Sequence, residues 1–468
     1  YNWGYDPHCY FSPDGAYSEN PRDPELRISE LKELISAIHA AGMGVILDVV
    51  YTHMADAKFL EDIVPDYYFF RDKSGNFVGG FGNNLATNRL MVQKLIIDSV
   101  KYWFTEYGID GMRWDMMGDA TYDVVQKAFD EAQQINSKAL FIGEGWRTFS
   151  GHIDSPELAG KAADQDWMAT TDSVGVFSDE FRNELKSGFG CEGEPRFITG
   201  GKRNIDLIFR NIKAQPENTP STKPSDMVQY IAAHDNMPLY DVIAQSIKKD
   251  PSIEENNDEI LKRVRLGNAM VLLSQGIAFL HGGQEYGRTK QWLKKDVPEQ
   301  KFHKLKDLSG KPFKYPYFIH DSYNSSDAVN MFDHVKASNY SRYPLNVMTR
   351  NYTRGLIALR RSTDAFSLPT KALVDENVRF LNFPEIKEED LFIAYSSKST
   401  LNSIFYVFIN GDSITRKMTL SEDLTMGLIV VDNVNAGINP LTNPSGVTLT
   451  SSSIEVSPLS VIVIEVRR

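Results

Sequence analysis

Val92-Gln-Lys-Leu-Ile-Ile-Asp-Ser-Val-Lys-Tyr-Trp-Phe-Thr-Glu-Tyr-Gly-Ile-Asp-Gly-Met-Arg-Trp-Asp-Met116 is the stretch that decides the fold. Its first half sets Val92, Leu95, Ile96, Val100, Trp103 and Phe104 at helical spacing, and Gly108 stops the pattern. Its second half, Gly111 to Met116, reads as a short strand. The same unit precedes it. After Asp23-Pro24, the residues Ile28, Leu31, Leu34, Ile35 and Ile38 recur at helical intervals until Gly42, and Gly44 to Val50 then predicts a buried strand. Downstream, Val124 to Ala132 reads as helix, and Ala139 to Ile142, Ser173 to Phe177, Met227 to Ala232 and Gly276 to Leu280 read as strands. Tyr352, Leu356 and Leu359 mark a last helix near Arg361. Strands alternating with helices predict an α/β domain, a parallel sheet covered by helices.

After about residue 369 the texture changes. Leu391 to Tyr395, Ile404 to Ile409, Leu428 to Val431, Val447 to Thr450 and Val461 to Val466 are short apolar runs separated by Gly, Asn, Pro and Ser, which predicts an antiparallel β-sandwich. The expected domains are 1–368 and 369–468. The six strands of the first are two short of a (β/α)8 TIM barrel, and its first element is the loop before a helix. The missing strands are expected upstream, in the N-terminal remainder of the same protein or in a complementary chain.

Composition narrows the class. The 468 residues are 42% hydrophobic and 24% charged, ordinary for a globular protein, and exceed what one core serves. No apolar run approaches the roughly 18 residues that span a membrane. With 62 acidic against 50 basic side chains the net charge is −12, and no Lys/Arg cluster offers to neutralise a row of phosphates, so nucleic acid is not an expected partner. Cys9 and Cys191 stand far apart, which indicates neither a disulfide framework nor a zinc site. The opening Tyr1-Asn-Trp-Gly-Tyr-Asp-Pro7 has no basic stretch and no apolar core of a leader, and lacks an initiating Met. A piece of a longer protein is expected.

Charged side chains close four of the strand candidates: Asp48 with His53, Arg113 with Asp115, Glu144 with Trp146, and His234 with Asp235. In a βα barrel the carboxyl ends of the strands are where substrates bind. Residues two apart on a strand share a face, so Arg113 and Asp115 point together while Met112 and Trp114 point the other way. A guanidinium beside Asp115 lowers its pKa and holds it ionised, as a nucleophile requires, and a second carboxyl kept protonated can act as general acid. Glu144 is the candidate acid.

Four blocks in this order, Asp48-Val-Val-Tyr-Thr-His53, Gly111-Met-Arg-Trp-Asp-Met-Met-Gly118, Gly143-Glu-Gly-Trp146 and Ala233-His-Asp-Asn236, resemble the four regions shared across the α-amylase superfamily of glycoside hydrolases. The seven opening residues resemble the signature of its type I pullulanases, the starch-debranching enzymes. The resemblance extends through His320-Asp-Ser-Tyr-Asn324 and the C-terminal strands. It implies that Asp115 attacks the anomeric carbon, that Glu144 protonates the leaving oxygen and later activates water, and that Asp235 stabilises the transition state. Arg113 then orients Asp115, His53 and His234 bind the sugar, Asp48 supports the site, and Tyr5 stacks on the ring. The two reacting carboxyls are expected ~5 Å apart, the separation for a covalent glycosyl-enzyme and retention of configuration. That chemistry requires no metal or cofactor, and leaves room for a structural calcium.

Trp146 is a candidate to flank the acceptor subsites, with core packing as the competing role, and Asn324 is a candidate substrate contact in the long connection from Gly282 to Tyr340. Met112 and Trp114 stand where phenylalanines are common, Thr52 where asparagine is, and the Gly79-Gly-Phe-Gly82 loop departs from the family pattern. The implied substrate is an α-glucan cut at α-1,6 branch links: pullulan, amylopectin or glycogen-derived limit dextrin. Isoamylase-like specificity, α-1,4 cleavage and a non-catalytic glucan-binding homologue are the alternatives. Large polysaccharides point to an extracellular or cell-surface setting, with cytoplasmic glycogen debranching as the alternative.

Overall fold

The computed structural model describes residues 2–401 and 403–467. It packs as two compact units, Trp3–Phe177 and a second that begins at Ser178.

In the first unit four parallel strands lie side by side in chain order, β1 (Ile46–Val49), β2 (Gly111–Trp114), β3 (Leu140–Gly143) and β4 (Val174–Phe177). The helices Pro24–Ala40, Leu90–Tyr107 and Tyr122–Ile135 alternate with them, which is the repeated unit expected from the spacing. Each boundary has a local cause. The Asp23 carboxylate accepts from the backbone N–H of Glu25 and Leu26, and Pro24 fills the first helical position, where no N–H is missed. The second helix ends because Gly108 turns left-handed at φ +66°. β1 lies at one edge of this sheet, with Ile46 42% exposed. β2 is buried along its length. Trp114 packs 5.0 Å from the Tyr51 ring and 6.2 Å from that of Phe141, so the face carrying the departures at 112 and 114 is the packing face.

The second unit carries β5 (Arg203–Asn204), the parallel pair β6 (Met227–Gln229) and β7 (Ile277–Ala278), and an antiparallel hairpin of β8 (Phe302–Lys306) and β9 (Pro312–Ile319). That hairpin occupies part of what reads in the sequence as a long connection. From residue 378 the chain is antiparallel. β10 (Val378–Phe380), β12 (Phe392–Lys398), β13 (Ser403–Asn410), β18 (Ser460–Arg467) and β15 (Leu428–Val431) form a five-stranded sheet in the order β10-β12-β13-β18-β15. β14 (Arg416–Thr419), β17 (Ser453–Val456) and β16 (Val447–Leu449) form a three-stranded sheet, and β11 (Glu389–Asp390) pairs with β5.

Alternation explains the layering. Phe392, Ala394, Ile404, Tyr406, Phe408, Ile462 and Ile464 share a core with Met418, Ile454 and Val456 of the three-stranded sheet. Their neighbours Ile393, Tyr395, Phe405, Val407, Ile409, Val461 and Val463 share another with Ile208, Ile212, Leu272, Leu356 and Leu359 of the helices Ile205–Ile212, Glu254–Leu272 and Pro344–Ser362. The five-stranded sheet is thus apolar on both faces, and one core runs unbroken across residues 368 and 369.

Candidate active site

Strand register sets the centre. Asp48 on β1 stands opposite Arg113 on β2, and Arg113 opposite Ile142 on β3, so the guanidinium leaves the sheet between two carboxylate-bearing strand ends. Arg113 Nη1 donates to Asp48 Oδ1 at 2.9 Å and to Asp115 Oδ1 at 3.0 Å, and Nη2 lies 2.9 Å from Glu144 Oε1. The Tyr5 hydroxyl donates to Asp48 Oδ2 at 2.5 Å. The guanidinium carbon lies 5.7 Å from the centre of the Tyr5 ring and 5.9 Å from that of Phe177, the last residue of β4. Five sequence-predicted residues, Tyr5, Asp48, Arg113, Asp115 and Glu144, therefore form one contact network.

The backbone supports it. Met116 sits left-handed at φ +46°, strained for a side chain of its size, and in that conformation its N–H donates to Glu144 Oε2 at 3.0 Å. Gly118 N–H donates to the Glu144 carbonyl at 2.8 Å, and a Cβ at Gly118 would fall 1.9 Å from the Trp146 carbonyl oxygen, so only glycine fits. The strands carrying Asp115 and Glu144 are thereby clamped just past their ends.

Burial reverses one expectation. Asp115 and Glu144 are each 8% exposed. Desolvation and the Glu144 charge together push the Asp115 carboxyl up to about 8, outweighing Arg113, which pulls it down. Proximity to the guanidinium was expected to prevail; low dielectric and a second carboxylate prevail instead. Asp115 thus holds its proton to higher pH than an isolated aspartate, and must lose it before it can attack.

His53 is 2% exposed; its Nε2 lies 3.3 Å from Asp6 Oδ1, and its ring stacks on Phe81 at 4.7 Å and 16°. Phe81 belongs to the loop that departs from the family pattern. Trp146 is half-buried two residues beyond Glu144. Asp119, buried beside these elements, accepts from the Thr148 hydroxyl at 2.7 Å and from Asn84 Nδ2 at 3.1 Å. In the second unit, His234 and Asp235 follow β6, with His234 Nε2 3.6 Å from Asp235 Oδ2. Asn324 is exposed in the segment after β9, past Asp321, whose Oδ1 lies 2.9 Å from His320 Nδ1. Phe81, Phe177 and Asp119 carry no motif in the sequence; only the unusual glycines around Phe81 draw the eye to it. Among the described residues, no group of three or more His, Cys, Asp or Glu is placed to hold a metal ion.

The catalytic module of the glycogen-degrading pneumococcal virulence factor SpuA, solved with an inhibitor, superposes with a TM-score of 0.97 at 47% identity, over 100% of this chain and 68% of that one. The chain belongs to the type I pullulanase family. Pullulanase A of Streptococcus pneumoniae serotype 2 is 47% identical over 481 residues, covering 100% of this chain and 38% of that protein. A Group B Streptococcus pullulanase, SAP, solved with maltotetraose, gives a TM-score of 0.93 at 48% identity over 100% of this chain and 61% of its own. Residues 377–467 match the family described as SpuA C-terminal. The chain thus spans 38% of the length of that pullulanase A. No helix among the described residues is long and apolar enough to cross a membrane.

Proposed function

We propose that this chain is the catalytic part of a retaining glycoside hydrolase that cuts α-1,6-glucosidic branch links in α-glucan. The observation that carries the reading is the single guanidinium of Arg113 held against both Asp115 and Glu144. Two buried acids around one cation give a nucleophile and a proton donor within reach of one bond. Asp115 attacks the anomeric carbon while Glu144 protonates the departing oxygen; Glu144 then takes a proton from water, which displaces the sugar from Asp115. Asp235 stabilises the positive charge that develops on the ring, His53 and His234 bind the sugar, Tyr5 stacks on it, and Trp146 and Asn324 contact glucose units further out. The solved SAP structure holds maltotetraose and SpuA is described as glycogen-degrading, which supports an oligo- or polysaccharide substrate of the same kind.

The reading includes an architecture and a setting. Six parallel strands become a closed (β/α)8 barrel when the rest of the protein supplies the remainder, residues 369–468 form the sandwich module, and the enzyme meets its polysaccharide outside the cell or at its surface. No cofactor enters the reaction. The deciding experiment uses the full-length protein on pullulan, with Asp115→Asn as control. Maltotriose released by the parent and lost in the control supports α-1,6 cleavage by this nucleophile. Panose reassigns the linkage to α-1,4, and no product from the parent overturns the hydrolase reading.

A further inference from the structure

Lys290 lies outside every motif discussed above, yet it is 2% exposed. Its ammonium meets three backbone carbonyls, those of His234 at 3.2 Å, Asn236 at 2.8 Å and His320 at 3.3 Å. Two of them flank Asp235 directly. The third closes the β8–β9 hairpin, just before the segment that leads to Asn324. An ammonium carries three donors in tetrahedral array, so one side chain ties two loops from both sides of Asp235. The lysine is itself fixed. Its backbone N–H donates to Asp241 Oδ2 at 2.7 Å and its carbonyl accepts from the Ile319 N–H at 3.1 Å, while the Thr289 hydroxyl donates to Asp241 Oδ1 at 2.5 Å. Asp241 is wholly buried in the first turn of the helix Leu239–Ile247, which follows the Asp235 loop.

The loop needs such a clamp. Asn236 is left-handed at φ +62°, a conformation that costs a non-glycine residue and persists only where the surroundings enforce it. Lys290 grips the carbonyl of that very residue. We propose that Lys290 is a positioning residue that sets Asp235 by holding the carbonyls on either side of it. This rests on the reading of Asp235 as the stabiliser of the transition state. Burying a lysine is unfavourable, and desolvation pushes its pKa down to about 8, so an apolar residue serves better if the position were only core.

The test is a double-mutant cycle in the full-length protein, read as kcat and KM on pullulan well below each variant's Tm. Lys290→Met is expected to lower kcat about 10²-fold, the scale of an ångström-size misplacement, with KM little changed. In the Asp235→Asn background the same substitution is expected to cost less than about twofold, because the group it positions is already gone. Lys290→Gln, which keeps two donors, is expected to lose less than Lys290→Met, and carries the cycle if the Met variant does not fold. Normal kcat in the lysine variants, or losses that multiply with Asp235→Asn, overturns the positioning role and leaves the hydrolase reading intact. An Asp235→Asn protein with full activity overturns the reading beneath it.

Discussion

Arg113 Nη2 lies 2.9 Å from Glu144 Oε1 although the two residues arise from different strands, and the contact makes one cation common to Asp48, Asp115 and Glu144. Removing that cation has a signed consequence. In Arg113→Gln, Asp48, Asp115 and Glu144 face one another unscreened, so the carboxyl that must be ionised holds its proton to higher pH. The acid limb of kcat/KM against pH is expected to move upward, with a loss on the order of 10² at the optimum. An unchanged acid limb separates Arg113 from the ionisation of the pair.

Asp115 also costs stability. Its carboxyl is raised from 3.8 to about 8 in the folded chain. Between those values the folded state keeps a proton that the unfolded state has released, so its contribution to stability falls as pH rises through that window. Asp115→Asn is expected to be inactive and more stable than the parent, with a Tm advantage larger near pH 8 than near pH 5. Thermal unfolding of both proteins at the two pH values checks this, and an equal gap at both contradicts the raised carboxyl.

The stack of His53 on Phe81 predicts a loss confined to binding. Phe81 is 51% exposed, so truncating it removes little from the core. An aromatic pair is worth roughly 0.5–1.5 kcal/mol, which is about a two- to twelvefold change. Phe81→Ala is expected to lower kcat/KM by that factor through KM, with Tm nearly unchanged. A fall in kcat at constant KM ties the ring to the chemical step instead.

These particulars mark how far the sequence can be read. The four parallel strands of the first unit and the parallel pair of the second are legible, because each lies in a short apolar run, and Asp115 with Glu144 sits where such runs end. The β8–β9 hairpin is hidden by Pro312 and Pro316 and by lysines at alternate positions, which resemble a loop more than a strand. The stack on His53 joins residues 28 apart with no shared pattern. The raised pKa of Asp115 sums burial and charges from three strands, and no single motif contains that sum. The clamp at Lys290 is invisible for the same reason: its partners are carbonyls, which every residue has.

The five-stranded sheet supplies the last prediction. In a sandwich with one face in solvent, neighbouring residues on a strand differ sharply in their tolerance of truncation, because only alternate side chains are buried. On β13, however, Val407 faces the helices and Phe408 the three-stranded sheet, and both are 0% exposed. Truncation on either face leaves a cavity that the packed neighbours only partly fill. Phe408→Ala is expected to cost about 3–5 kcal/mol and Val407→Ala a smaller but still substantial ~2 kcal/mol. Equilibrium denaturation of the two variants measures both. A Val407→Ala protein as stable as the parent would mean that the helical face of the sheet is not a packed interface, and that the strands after residue 378 stand apart from the helices before it.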